Sequence, residues 1–207
     1  MRLAYGFRHS LLCMILSLAS ATACADALIV VCYNWGCQNQ QAAIFPEPWL
    51  RKAVQPLRLA KNPEAEREAV AEVVHRFYRK AAEQTPIAND EPGNVEDETV
   101  NGRMDCIDHS TTTKNILLYL QHRQLLRWHE VGPYAHRSML VQSHYSATLI
   151  EKGSETEEVD RMYSIDPWDA DTGALPNVLS VREWAGPRFY TLETQHHTLT
   201  PPATLTR

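Results

Sequence analysis

The 207 residues include 20 basic and 25 acidic side chains, a net charge of −5 at pH 7, and 44% are hydrophobic. That is length and apolar content for one domain with a proper core, too little for two, and it argues against a disordered chain. No basic block or Arg-rich stripe appears, so no nucleic-acid partner is expected.

Residues 1–25 have the features of a signal peptide. Arg2 and Arg8 form a basic start, residues 11–23 are an apolar run, and Ala23-Cys24-Ala25 is an A-x-A site with cleavage expected after Ala25. Cys24 leaves a lipoprotein open, although Ala21 stands where a larger aliphatic residue is usual. A retained anchor is the third option, but Asp26 interrupts the apolar stretch, and spans of about twenty residues are the norm. A membrane is therefore a partner only through lipidation or an N-terminal anchor, and the expected location is periplasmic or secreted. Without these residues the net charge becomes −7, because Arg2 and Arg8 leave and no acid does.

The domain is expected over residues 26–194. Residues 26–33 predict a strand that enters a turn at Asn34-Trp35-Gly36, flanked by Cys32 and Cys37. In an oxidising compartment the turn would bring the two thiols to disulfide distance; two buried free thiols are the alternative. A bridge would leave Cys106 as the odd thiol of the mature chain. Pro46 and Pro48 precede a short helix at 49–54. Asn62 as N-cap and Pro63 in the first helical position open the clearest helix, with Glu64 and Glu66 at its positive end. Ala69, Val70, Val73, Val74, Phe77, Tyr78 and Ala81 give it one apolar face, and it ends before Pro86. Residues 87–103 form a long acidic loop that could wall a cleft in front of Cys106. A second helix runs from Asp105 to about 121–124. Its threonines at 111–113 are poor helix formers, which tertiary packing must hold. Strands are predicted at 126–131, 138–142, 144–151 and 161–166, with a closing edge strand at 189–192. Gly173, Pro176 and Asn177 mark a loop. Residues 195–207, with His196 and His197, are expected to be a polar, solvated tail. Helices first and antiparallel strands later indicate an α+β fold.

Cys106 stands at the start of the second helix, His144 and Asp166 on later strands. This is the order of nucleophile, base and orienting acid in thiol catalysis. Asp105 as N-cap with Asp108 three residues on resembles a capping box and puts Cys106 in the first turn, where the dipole favours a negative sulfur. The two carboxylates oppose that charge, so a His partner is needed. Pro167 ends the strand behind Asp166, and Trp168 could shield the His–Asp pair from water. The Cys106 N–H is one oxyanion donor; Asn101, Gln38 and Gln40 are candidates for a second. Each residue has a plainer role: Cys106 as a small buried apolar group, His144 as a structural histidine, Asp166 as a turn cap. His109, three residues after Cys106, is a rival base. Cys106 and His109 with His136 or His144 would be a zinc site, though nothing in the spacing completes it. No cofactor motif is present.

Asp105-Cys106-Ile107-Asp108-His109-Ser110, with Lys114 beyond it, resembles the Asp-Cys-Glu-Asp-Tyr-Ala…Lys segment of bacterial transglutaminase-like cysteine peptidases. The resemblance implies a papain/transglutaminase-like fold and a Cys106–His144–Asp166 triad acting on an amide or ester. Met104 replaces the Gly usual before Asp-Cys, and the usual His-Ala pair reads His144-Tyr145. Residues 31–37 and 104–108 together are also similar to an uncharacterised group of exported proteobacterial proteins over residues 28–185, which brings no activity. A peptide or cell-wall peptide substrate is expected from the location. The rivals are a catalytically silent binding module on the same fold and a Cys/His metal-binding protein.

Overall fold

Asn62 begins the longest helix as expected: its Oδ1 accepts the Ala65 N–H at 2.8 Å, and α3 (Pro63–Ala82) follows with Pro63 in its first turn. A computed structural model describes residues 26–93, 99–138, 143–153, 156–168 and 174–196. The proposed signal peptide, Cys24 and His197 lie outside them.

Before α3 come a hairpin, β1 (Ala27–Tyr33) and β2 (Asn39–Phe45), and two short helices, α1 (Glu47–Ala53) and α2 (Gln55–Leu59). After it a 3₁₀ turn at Pro86–Asn89 interrupts the expected acidic loop, and α4 (Cys106–His122) follows. The rest is mainly strand: β3 (His129–Val131), β4 (Tyr134–Ser138), β5 (Ser143–Glu151), β6 (Met162–Asp166), β7 (Asn177–Ser180) and β8 (Phe189–Glu193), with α5 (Val181–Ala185) between the last two. The sheet order is β7-β6-β5-β4-β8, with β3 paired beside β5, and every pairing is antiparallel. The architecture is α+β, as the element order predicted.

All seven apolar residues of the α3 stripe are buried, packed with Ile116, Leu117 and Leu120 of α4, the inner face of the hairpin, and Ala147, Leu149 and Ile165 of the sheet. Each large aliphatic or aromatic side chain so buried contributes about 1.5–3 kcal/mol. The poor helix formers of α4 are held from outside: Thr112 Oγ1 accepts the Cys32 N–H at 2.9 Å, and Thr113 Oγ1 lies 3.1 Å from the Tyr78 hydroxyl. Asn115 donates to Val30 O, so β1 is clasped along α4.

Some expected elements shift. The strand expected at 126–131 is only β3, because Glu66 takes the backbone N–H groups of Arg127, Trp128 and His129 in place of a neighbouring strand. Of the strand expected at 138–142, Ser138 ends β4, and residues 139–142 lie outside the described residues. Asn177, expected in a loop, opens β7.

Candidate active site

Cys106 is the first residue of α4, and the capping box is formed with Asp in both seats. Asp105 Oδ1 accepts from Ile107 N at 3.0 Å and Asp108 N at 2.9 Å, and Asp108 Oδ2 accepts from Asp105 N at 3.1 Å. The Cys106 N–H therefore belongs to the helix end without an intrahelical acceptor.

The turn after β1 grips this helix start. Residues 34–37 all have positive φ: Asn34 66°, Trp35 58°, Gly36 65° and Cys37 58°. Left-handed backbone costs non-glycine residues roughly 1–2 kcal/mol each, so the turn needs outside support. It finds it in α4: Gly36 N donates to Asp105 Oδ2 at 2.9 Å and Cys37 N to Asp108 Oδ1 at 2.6 Å. The Cys32–Cys37 disulfide is present, with Cα atoms 4.7 Å apart, and Cys106 is the free cysteine among the described residues. Both bridged residues pack with Ile107, Tyr134 and Tyr145, against which Cys106 rests. Burial, with the Asp105 carboxylate beside it, raises the Asp108 pKa. Gly102 completes the junction. Its φ is 97°, its N–H donates to Asn34 Oδ1 at 2.7 Å, and a Cβ there would stand 1.9 Å from Pro86 O.

β6 pairs only with residues 147–150 of β5, so among the described residues the stretch at 143–146 has β4 on one side and no strand on the other. The start of α4 lies against that stretch. Cys106 Sγ is 3.9 Å from Ser143 O, and the Tyr145 N–H hydrogen-bonds to the sulfur. The thiol is half-buried; burial pushes it up to about 12, the Asp105 and Asp166 carboxylates add to that, and the Tyr145 N–H partly offsets it. At neutral pH it is a thiol.

His144 lies between those two residues on β5. Its Nε2 is 2.6 Å from Asp166 Oδ2, and its buried Nδ1 has no hydrogen-bond partner among the described residues. Asp166, the last residue of β6, is fully enclosed. Burial would raise its pKa, but the His144 imidazole, the Trp184 indole N–H at 2.7 Å and the Trp168 N–H at 3.2 Å hold the carboxyl below its ordinary range. The His144 ring packs between Trp168, centroid 4.6 Å away, and Trp184, at 5.7 Å. Trp168 therefore sits against the pair as expected. Trp184 was not foreseen, yet its position was readable: Ser180-Val181-Arg182-Glu183 is a capping box, formed here, that starts the short helix carrying the indole. The acidic segment also reaches this wall, since Gly93 N donates to Trp168 O at 2.9 Å.

His109, the rival base, is engaged elsewhere. Its Nε2 lies 3.0 Å from Asp90 Oδ2, its ring stacks on Tyr78, and Asp90 Oδ1 accepts the Met104 N–H. Among the described residues the one group at metal-ligand spacing is Cys32, Cys37 and Asp108, whose sulfurs are bonded to each other. The rival zinc set of Cys106 and His109 with His136 or His144 is not assembled among the described residues. Of the candidate second oxyanion donors, Asn101 Oδ1 accepts from Asn34, Gln40 Nε2 donates to Cys37 Sγ, and Gln38 is exposed.

His196 corrects the sequence expectation. It is buried, not solvated, with its ring 3.9 Å from Tyr134, edge-on to Tyr145, and its Nε2 3.2 Å from Ser110 Oγ of α4. Burial, with the Lys114 ammonium nearby, pulls it down to about 4. His136 stacks on the other face of this group, 4.3 Å from Tyr145, and pairs with Glu193 at 3.0 Å. Lys114, part of the resembling segment, lies 3.9 Å over the Tyr134 ring.

Compared with models of protein families, with curated proteins and with solved structures, the chain matches none.

Proposed function

We propose that the protein is a thiol-dependent acyl-transfer enzyme, with Cys106 as nucleophile, His144 as base and Asp166 as orienting acid. One observation carries this reading: Asp166 occupies Nε2 of His144 and leaves Nδ1 without a partner among the described residues, on a strand whose flanking residues touch the Cys106 sulfur. A histidine held by one nitrogen with the other free is what general-base catalysis requires. The helix start, the antiparallel sheet and the sequence resemblance support a papain/transglutaminase-like fold. The disulfide is consistent with export, and no described helix is long and apolar enough to cross a membrane.

Because the resting thiol is neutral, its proton passes to His144 Nδ1 as sulfur attacks the carbonyl carbon. The negative oxygen of the tetrahedral intermediate faces the Cys106 N–H at the helix start. The intermediate collapses to a thioester, and the imidazolium, stabilised by Asp166, gives its proton to the departing amine or alcohol. Water or an amine then attacks the thioester, His144 accepts its proton, and sulfur leaves to regain the thiol. A peptide, including a cell-wall peptide, is the substrate class that suits an exported acyl-transfer enzyme.

One observation favours a second reading, a silent binding module: the thiol is held protonated and its hydrogen contact is to a carbonyl. p-Nitrophenyl acetate separates the two. The enzyme reading expects a burst of p-nitrophenolate and an acetyl adduct on Cys106 by mass spectrometry, both lost in His144→Ala. Acetylation at the rate of a free thiol, unchanged in His144→Ala, would leave the binding module.

A further inference from the structure

Among the described residues β7 ends the sheet order, with β6 its one strand neighbour, so it is an edge strand, the kind of element that can take up a further strand. That edge borders a groove of about 850 Å³ whose opposite wall is α2 and α3. Three leucines line the groove while still facing water: Leu59 is 65% exposed, Leu175 55% and Leu179 43%. Exposed apolar side chains in one groove beside an edge strand mark an interaction surface.

The charge on the walls identifies the partner. Glu64, Glu68 and Glu72 form a ridge one helical turn apart on α3, and Glu183 faces them from α5. Glu183 is held ionised because it accepts from the Ser180 hydroxyl at 2.7 Å and the Ser180 N–H at 3.1 Å. The one cation in the lining, Arg67, is occupied by Glu151 at 2.7 Å and by the Tyr163 ring at 3.9 Å. Glu72 pairs with Arg76. Glu64 and Glu68 are exposed, so they present negative charge to whatever enters.

We propose that this groove binds an extended basic segment of another protein. The segment adds to β7 as a strand, places apolar side chains on Leu59, Leu175 and Leu179, and sets Lys or Arg against Glu64 and Glu68. The alternation of side chains along a strand lets one short segment do both. The proposal does not rest on acyl transfer.

The probe is a fluorescein-labelled peptide alternating lysine with leucine, titrated with the full chain at physiological salt and followed by fluorescence anisotropy. Expected are saturable binding, binding weakened by about tenfold or more in E64K/E68K at unchanged circular dichroism and Tm, and loss of binding when alternate peptide nitrogens are methylated. Equal binding of a glutamate–leucine peptide, or indifference to E64K/E68K, would overturn the proposal. So would full binding of the methylated peptide, which would show association by charge alone. Binding that appears only after removal of residues 197–207 would overturn it in favour of the chain's own tail.

Discussion

The Cys37 backbone N–H donates to Asp108 Oδ1 at 2.6 Å, and this bond joins a left-handed disulfide turn to the first turn of α4. Asp108→Ala removes the acceptor for Cys37 N and for Asp105 N at once. Two stranded donors should cost about 2–4 kcal/mol in urea unfolding. Reduction of Cys32–Cys37 should cost about 2 kcal/mol more by freeing a short loop. A variant as stable as the parent would mean the turn holds its shape without α4.

Trp184→Phe keeps an aromatic ring beside His144 and deletes the indole N–H bond to Asp166. The Asp166 carboxyl should then move up toward its ordinary range, and the acid limb of the p-nitrophenyl acetate pH profile should move up with it. Stability should fall by only about 1–2 kcal/mol. An indole with a merely structural role would leave the acid limb in place.

Cys106 makes the fold sensitive to alkali. Its folded pKa is pushed up to about 12, whereas an unfolded thiol ionises near about 8.5. Between those values the folded chain keeps the proton that the unfolded chain releases. Stability should therefore fall as pH rises through that window, by up to about 1.4 kcal/mol per pH unit. Cys106→Ala should remove that part of the decline in denaturant melts. An identical decline in the variant would refute the assignment.

His196 acts at the other end of the scale. Its folded pKa is drawn down to about 4, below the roughly 6.5 of an unfolded histidine. The unfolded chain binds the proton first, so stability is complete above the unfolded value and is lost as pH falls toward the folded one. Lys114 and His136 nearby oppose its charge, and Glu193 favours it. His196→Phe should flatten the melting temperature between about pH 6.5 and about pH 4. A solvated residue would leave the curve unaltered.

Glu66 gives the largest single loss expected. It is wholly buried, accepts three backbone N–H groups from residues 127–129 and lies 2.9 Å from His129 Nδ1. Glu66→Ala strands all of them and should cost about 3–5 kcal/mol or leave the chain unfolded at ambient temperature. Glu66→Gln, which can keep part of the set, should lose less.

Local chemistry was legible and distant pairing was not. The α3 cap and stripe, the capping box around Cys106 and the Cys32–Cys37 turn depend on neighbours a few residues apart, and each appears as the residue types demand. β2 was overlooked because Asn39-Gln40-Gln41-Ala42 is poor in strand formers, and only Ala43 and Phe45 alternate inward. Glu66 looked like a helix-dipole acid, and nothing near it in the chain announces residues 127–129. His196 stands in a threonine- and proline-rich stretch whose composition signals solvent, and its burial depends on Tyr134, Tyr145 and Ser110 far away. The His144–Asp166 pair spans neighbouring strands, so order along the chain is enough to suggest it. The capping box at Ser180 marks the short helix that carries Trp184, but nothing in the chain order points its indole at Asp166.

The helix that carries Cys106 is clasped from two remote parts of the polypeptide, by Cys32 at Thr112, 80 positions away, and by His196 at Ser110, 86 positions away. Contacts of such reach form slowly. During synthesis β1 has to wait for α4 to emerge, and α4 has to wait for residue 196. The sulfur thus acquires its final surroundings only once residue 196 has been made, and a product that stops short of it carries an unfinished crevice.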